Sequence, residues 1–210
     1  MRNIKNLSRR TLAWTAAGLG STAIAGVMAV STGLTPASAT SAAAHQASSF
    51  TFALVPSPNI AACLPNAGGS VTITTGKQND TMKVTTHGLP KNAGFDLFVI
   101  QQPTAPFGVS WYQTDVQTNQ YGTGSATVRG VFDVETFSVS PGGTTTFSPT
   151  HQYHLGLWFN DPNVPFNLGC EPGATSPIIT PFNGEQHAGI QALNTAQFPV
   201  NAGPLSRVHR

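Results

Sequence analysis

Two histidines and a glutamate in the last third of the chain are residue types that could bind a metal: His154, Glu185 and His187. Zinc and copper accept imidazole nitrogen, and zinc also accepts carboxylate oxygen. His151 and His154 are three apart, and such residues point to opposite faces of a strand, so this pair is not a histidine clamp. On a turn, the three residues could still converge. The alternative is that His154 hydrogen-bonds within a sheet and His187 lies in a loop, and no cofactor is predicted.

A pair of acids is the second candidate for chemistry. Asp133 and Glu135 are two apart on a predicted strand, so they share a face with their carboxyl groups about 6–7 Å apart. Glycosidases use carboxyl pairs at overlapping separations. The alternative is an exposed strand that carries two acids, and no motif of a serine hydrolase, zinc protease or phosphate-binding loop occurs. No catalytic residue is assigned, and a small metal-assisted or carboxylate hydrolase is kept as the alternative function.

Three aromatic residues indicate a binding surface instead: Trp111, Tyr112 and Trp158. They lie on predicted strands or beside loops rich in asparagine and glutamine. Flat aromatic faces with nearby amide groups suit a sugar ligand, through stacking and hydrogen bonds. The alternative is that both tryptophans pack in the core. Trp158 is expected to be the more buried, because it lies in the middle of an alternating strand, whereas Trp111 follows a proline-containing loop.

The elements that must position these residues are strands, because apolar residues recur with a period of two from Phe50 onward. Turn-forming residues such as those at 76–80 separate the runs. The run Phe95–Ile100 is apolar on both faces after Asp96, which predicts a central strand covered on both sides. The predicted strands lie near residues 50–54, 71–73, 82–84, 95–100, 111–118, 126–132, 134–139, 153–159 and 188–193.

About nine short strands, with no convincing amphipathic helix after residue 39, predict an all-β domain. Their spacing fits a single Greek-key β-sandwich of immunoglobulin-like type, with a small barrel as the alternative. The domain is expected to span residues 50–200, with a C-terminal tail at 201–210. No internal repeat and no second composition block indicates another domain.

Cys63 and Cys170 are the chain's two cysteines. In an oxidising compartment such a pair predicts a disulfide. It would join the loop after the first strand to the long loop after Phe159. Two free thiols or a shared metal site are the alternatives.

Residues 1–39 have the features of an export signal: a basic head, an apolar run free of charge, and the small-residue ending Ala37-Ser38-Ala39. Cleavage before Thr40 is predicted, so the mature protein is expected to be extracellular. Arg9 and Arg10, within Ser-Arg-Arg-Thr-Leu, resemble the twin-arginine export motif, and an ordinary secretory signal is the alternative. Residues 40–49 are predicted to form a disordered spacer.

Removal of this signal reverses the net charge. Four of the ten basic residues and none of the eight acidic residues lie in residues 1–39, which leaves six basic and eight acidic residues and a net charge of −2. Nucleic-acid binding then has no electrostatic basis. No membrane attachment is expected after cleavage. The polar surface must come from threonine, serine, asparagine and glutamine.

Four segments carry a resemblance: residues 88–101, which open with Gly-Leu-Pro and continue into Phe-Asp-Leu-Phe-Val-Ile-Gln, and residues 106–112, 153–159 and 180–191. Together they resemble an uncharacterised family of secreted proteins of Gram-positive-type soil bacteria, over most of Gly88 to Leu193. The first segment is also similar to the strand–turn–strand of bacterial immunoglobulin-like modules. The resemblance implies secretion and an immunoglobulin-like fold, and it supplies no activity and no catalytic residue.

The sequence therefore predicts a secreted, non-catalytic binding or cell-envelope-associated protein that recognises a polysaccharide or another extracellular polymer. An exposed row of aromatic residues would favour this function. A concave pocket that gathers His154, Glu185 and His187 would favour the hydrolase instead.

Overall fold

The computed structural model describes residues 48–132, 138–139, 146–147, 153–180 and 187–208. The predicted export signal, most of the predicted spacer, and His151, Asp133, Glu135 and Glu185 lie outside the described residues. Those that are described belong to one compact unit, Ala43–Arg210. No helix in this described part is both long and apolar enough to cross a membrane.

Besides two 3₁₀-helices at Val200–Ala202 and Pro204–Arg207, the described residues form ten strands and two short α-helices, which confirms the all-β class. In chain order these are β1 Ser49–Pro56, α1 Pro58–Cys63, β2 Gly68–Thr74, β3 Asp80–His87, β4 Gly94–Ile100, β5 Ser110–Gln117, β6 Gly124–Gly130, β7 Ser138–Val139, β8 Thr146–Phe147, β9 His154–Phe159, α2 Asn163–Asn167 and β10 Gln191–Asn194. Both helices are too short to show an amphipathic period, so sequence patterning missed them. Pro58 suits the first turn of α1, where no backbone donor is needed.

Eight of these strands form one antiparallel sheet in the order β5-β4-β9-β10-β1-β2-β3-β6. Strand β1 connects its two halves: Ser49–Leu54 pairs with β2, and Val55–Pro56 pairs with β10. One half is therefore β1, β2, β3 and β6, and the other is β5, β4, β9 and β10. Strands β7 and β8 pair with each other.

The main core is a single apolar cluster with contributions from both halves of the sheet. It includes Phe52, Leu54, Val71, Ile73, Met82 and Val84 from the first half and Phe95, Leu97, Val99, Leu155, Leu157 and Phe159 from the second. Alternate residues of β1, β2 and β3 are buried in it. Leu205 and Val208, in the segment expected to be a tail, also belong to this cluster.

Strands β4 and β9, like the short β10 beside β9, are covered on both faces. All six residues of β9 are buried, and so are the last six of β4. The predicted central strand at Phe95–Ile100 is thus confirmed. Here the face turned away from the main core is called the outer face of β4 and β9; it carries a second, smaller cluster made of Phe98, Ile100 and Trp158.

Candidate functional site

Strand β5 carries two exposed aromatic side chains, Trp111 and Tyr112. Their exposed fractions are 57% and 50%. β5 stands at one end of the strand order and pairs with β4. A single bridge between Thr118 and Gly124 connects the end of β5 with the start of β6. These aromatic residues therefore lie on an edge strand.

Trp111 and Tyr112 belong to opposite faces of β5. Tyr112 is paired with Phe98 and contacts it edge-on, with ring centroids 5.8 Å apart. Trp111 is paired with Val99, a residue of the main core. Neighbouring residues of a strand direct their side chains to opposite sides. The pairing shifts by one residue at Gln113, and such bulges are common on edge strands.

The phenol of Tyr112 is a stable hydrogen-bond donor. Its hydroxyl donates to Asp115 Oδ1 at 2.8 Å. Burial first, then the hydrogen bond to Asp115 and the charges of Asp115 and Asp96, together raise the pKa of Tyr112 to about 12. The phenol therefore stays protonated at neutral pH, which suits binding and positioning and does not suit a general base.

Trp158 is fully buried and offers no face to a ligand in this structure. Its indole packs edge-on against Phe98 at 5.5 Å and against Phe107 at 5.0 Å between ring centroids. The space that it fills exists because residue 156 is glycine: a Cβ there would overlap the indole. Of the three candidate binding residues Trp111, Tyr112 and Trp158, two are thus exposed. The expected ranking of the tryptophans is correct, since Trp111 is the exposed one.

Phe107 reaches Trp158 because the loop 101–109 folds back over the outer face of β4 and β9. The Gln191 side chain holds this loop, as its Nε2 donates to the Pro103 carbonyl at 3.1 Å. Gln191 Oε1 in turn accepts from Ser57 Oγ at 3.2 Å and Asn194 Nδ2 at 2.9 Å. These contacts hold the loop 101–109 over Trp158. No local pattern in the sequence indicates them.

His154 is buried with both ring nitrogens in hydrogen bonds. Nε2 lies 3.1 Å from the Val200 carbonyl, so Nε2 carries the proton and donates. Nδ1, 2.9 Å from Thr195 Oγ1, then accepts from that hydroxyl. Burial lowers the pKa of His154, although the backbone at Val200, Pro199 and Thr195 opposes the shift. The imidazole is a neutral structural group with no nitrogen left for a metal.

The remaining members of the predicted metal set give it no support. His187 is exposed ahead of β10, and Glu185 lies outside the described residues. Over residues 48–132, 153–180 and 187–208, no group of three histidine, cysteine, aspartate or glutamate side chains could hold a metal ion.

Cys63 and Cys170 form the predicted disulfide, with their Cα atoms 5.1 Å apart. Cys63 ends α1, and Cys170 follows α2. The bond therefore joins the segment after β1 to the segment after β9.

A further surface, not predicted from the sequence, is the exposed side of β1, β2, β3 and β6. Serine and threonine alternate with apolar residues in all four strands. The alternation was visible in the sequence, but the register that aligns these hydroxyl groups across strands was not.

No protein-family model matches this chain, and no curated protein sequence matches it.

Proposed function

We propose that this chain is a secreted, non-catalytic protein that binds an extracellular polysaccharide or a similar polymer along strand β5. The observation that carries the proposal is the pair of half-exposed aromatic side chains, Trp111 and Tyr112, on one edge strand. Large aromatic groups are favoured at binding surfaces because they provide much apolar contact area with little conformational freedom to lose.

The opposite orientation of the two side chains suggests how a polymer would bind. A chain that lies along the edge of β5 would contact Trp111 on one side and Tyr112 on the other. Gln113 and Gln117 on the same strand would add amide hydrogen bonds, and edge-strand backbone groups would add more. Recognition would then be a two-sided contact, and the aromatic residues would not form one flat surface.

The extracellular location and the finer architecture are parts of the same proposal. A disulfide is typical of oxidising compartments, and the Cys63–Cys170 bond supports export through the signal at 1–39. We assign the domain to the Greek-key β-sandwiches of immunoglobulin-like type. The support is that the chain alternates between the two halves of the sheet and that both halves contribute to one core.

The hydrolase alternative receives no supporting observation. Its carboxyl groups at Asp133, Glu135 and Glu185 lie outside the described residues, and His154 is engaged in hydrogen bonds.

Binding of the mature protein to xylan, cellulose and peptidoglycan tests the proposal, by pull-down and by affinity electrophoresis. Trp111→Ala and Tyr112→Ala should each weaken binding by about 1–3 kcal/mol. Tyr121→Ala is the matched control, because Tyr121 is equally aromatic and 75% exposed but lies in the turn after β5. Wild-type affinity in both β5 variants, or equal loss in the control, would refute this site.

A further inference from the structure

The exposed side of β1, β2, β3 and β6 carries a regular array of hydroxyl groups, here called the hydroxyl face. Three rows of paired residues cross the four strands. The rows are Ala53, Ser70, Thr85, Ser125; then Thr51, Thr72, Lys83, Thr127; then Ser49, Thr74, Thr81, Arg129. Nine of these twelve positions are serine or threonine, and none is acidic or aromatic.

The hydroxyl groups are held in position by the sheet and by one another. Thr51 Oγ1 lies 2.8 Å from Thr72 Oγ1, and Ser49 Oγ lies 3.3 Å from Thr74 Oγ1. Paired strands are about 4.8 Å apart, and alternate residues along a strand are about 6.6 Å apart. Each hydroxyl in such a pair keeps further capacity to accept a hydrogen bond. The face is therefore a preorganised, uncharged set of donors and acceptors.

Positive charge is added to this face at Lys83 and Arg129. Lys83 is paired with Thr127 and Arg129 with Thr81, so the two cations are diagonal neighbours with Cα atoms about 7–8 Å apart. Both are exposed, and Lys77 lies in the adjoining β2–β3 turn.

The exposed acids of the described residues lie on the other half of the sheet. They are Asp115 on β5 and Asp161 after β9, while Asp80, Asp96 and Glu171 are buried. Among the described residues, this face thus carries no acid, in a chain whose net charge after residue 39 is −2.

We propose that the hydroxyl face binds an acidic polysaccharide. Sugar carboxylates would pair with Lys83 and Arg129, and sugar hydroxyl groups would exchange hydrogen bonds with the serine and threonine rows. A nucleic acid fits this face less well, because none of the twelve row positions carries an aromatic residue to stack on bases and the cations are few. The surface is separate from the edge of β5, and the proposal does not depend on Trp111 or Tyr112.

Affinity electrophoresis in polygalacturonate, with neutral dextran as the comparison, tests the proposal. The mature wild-type protein should be retarded by polygalacturonate and not by dextran, and less so as salt rises. The double variant Lys83→Gln/Arg129→Gln should lose about 3–10-fold in affinity, as expected for two exposed ion pairs. Lys91→Gln removes a positive charge between β3 and β4, off the face, and should bind as the wild type does.

A second pair of substitutions separates sugar recognition from simple charge attraction. Thr51→Val/Thr127→Val keeps the β-branched shape and both cations. It should nevertheless lower the affinity for polygalacturonate relative to the wild type, because two hydroxyl groups are lost. The substituted positions of both double variants are on the exposed side of the sheet. The circular dichroism spectrum and the unfolding midpoint of each variant should therefore stay close to those of the wild type.

Three outcomes would overturn the proposal. The first is that the wild type is not retarded by polygalacturonate. The second is that the double variant binds as tightly as the wild type, whether or not Trp111→Ala weakens binding. The third is equal affinity for polygalacturonate and single-stranded DNA together with no effect of the valine substitutions. Charge attraction alone would then explain the binding. Loss of xylan, cellulose or peptidoglycan binding in Trp111→Ala concerns only the β5 site.

Discussion

The indole of Trp158 occupies the space above Gly156, where a Cβ would overlap its six-membered ring. The two residues are two apart on β9 and share its outer face. The second apolar cluster thus requires a small residue at position 156. Phe107, in the loop 101–109, packs against Trp158 at this cluster's boundary.

Gly156→Ala should therefore destabilise the fold by about 1–3 kcal/mol, because the added methyl group has to displace the indole or the backbone. Urea unfolding followed by circular dichroism measures the change. Gly130→Ala on β6 is the control, since a Cβ there would meet the Phe132 ring at 3.5 Å, an ordinary contact. Equal stability of both variants would show that the indole has room to move.

The two tryptophans after residue 39, Trp111 and Trp158, should respond differently to alanine. Trp158→Ala removes a fully buried side chain and should cost about 3–5 kcal/mol in unfolding free energy. Trp111→Ala changes an exposed residue and should cost less than about 1 kcal/mol. Chemical denaturation of both variants provides the comparison. A small loss for Trp158→Ala would mean that the loop 101–109 closes over the vacated space.

The disulfide should contribute mainly by restricting the unfolded chain. Cys63 and Cys170 are 107 residues apart, and a loop of that length predicts about 4–5 kcal/mol on the chain-entropy model. Cys63→Ser/Cys170→Ser removes the bond without creating a free thiol and should lower the thermal midpoint while keeping the β-type spectrum. Native protein should take up no alkylating reagent before reduction, and uptake of two equivalents would contradict the bond.

His154 should make stability depend on pH. Burial holds its pKa below the ordinary value of 6.5, so the unfolded chain binds the proton more readily than the folded one. The contribution of His154 to the free energy of unfolding should then be constant above about pH 6.5 and fall with acidification below it, by up to about 1.4 kcal/mol per pH unit.

His154→Gln tests this dependence because an amide donates to the Val200 carbonyl and accepts from Thr195 without titrating. Its unfolding free energy should change less between pH 7 and pH 5 than that of the wild type. His87→Gln, at an exposed position of β3, should retain the wild-type slope. An unchanged slope in His154→Gln would place the pH dependence elsewhere.

Local patterning predicted the strands well, because the alternation of apolar residues in β1, β2 and β3 reflects their one buried face. It also predicted a doubly covered strand at Phe95–Ile100, since both faces there are apolar. Local patterning could not predict the partners of His154. Thr195 and Val200 come from a distant segment, which the pairing of β9 with β10 brings close to His154.

The candidate sites were predictable only in part, for a similar reason. Trp111 was expected at the surface and is exposed. The burial of Trp158 depends on the course of the loop 101–109, which Gln191 fixes from β10. The rows of the hydroxyl face depend on the register between neighbouring strands, which the sequence of one strand alone does not determine.

The pairing of β1 with β10 has a consequence for how the molecule folds. Strand β1 pairs with β10, about 140 residues further along the chain, so the sheet remains incomplete until synthesis has passed residue 194. Contacts between distant parts of a chain slow folding, and sheets of this kind form in about milliseconds to seconds. During that interval the edges of β1 and β9 that β10 will occupy are open to pairing with other chains.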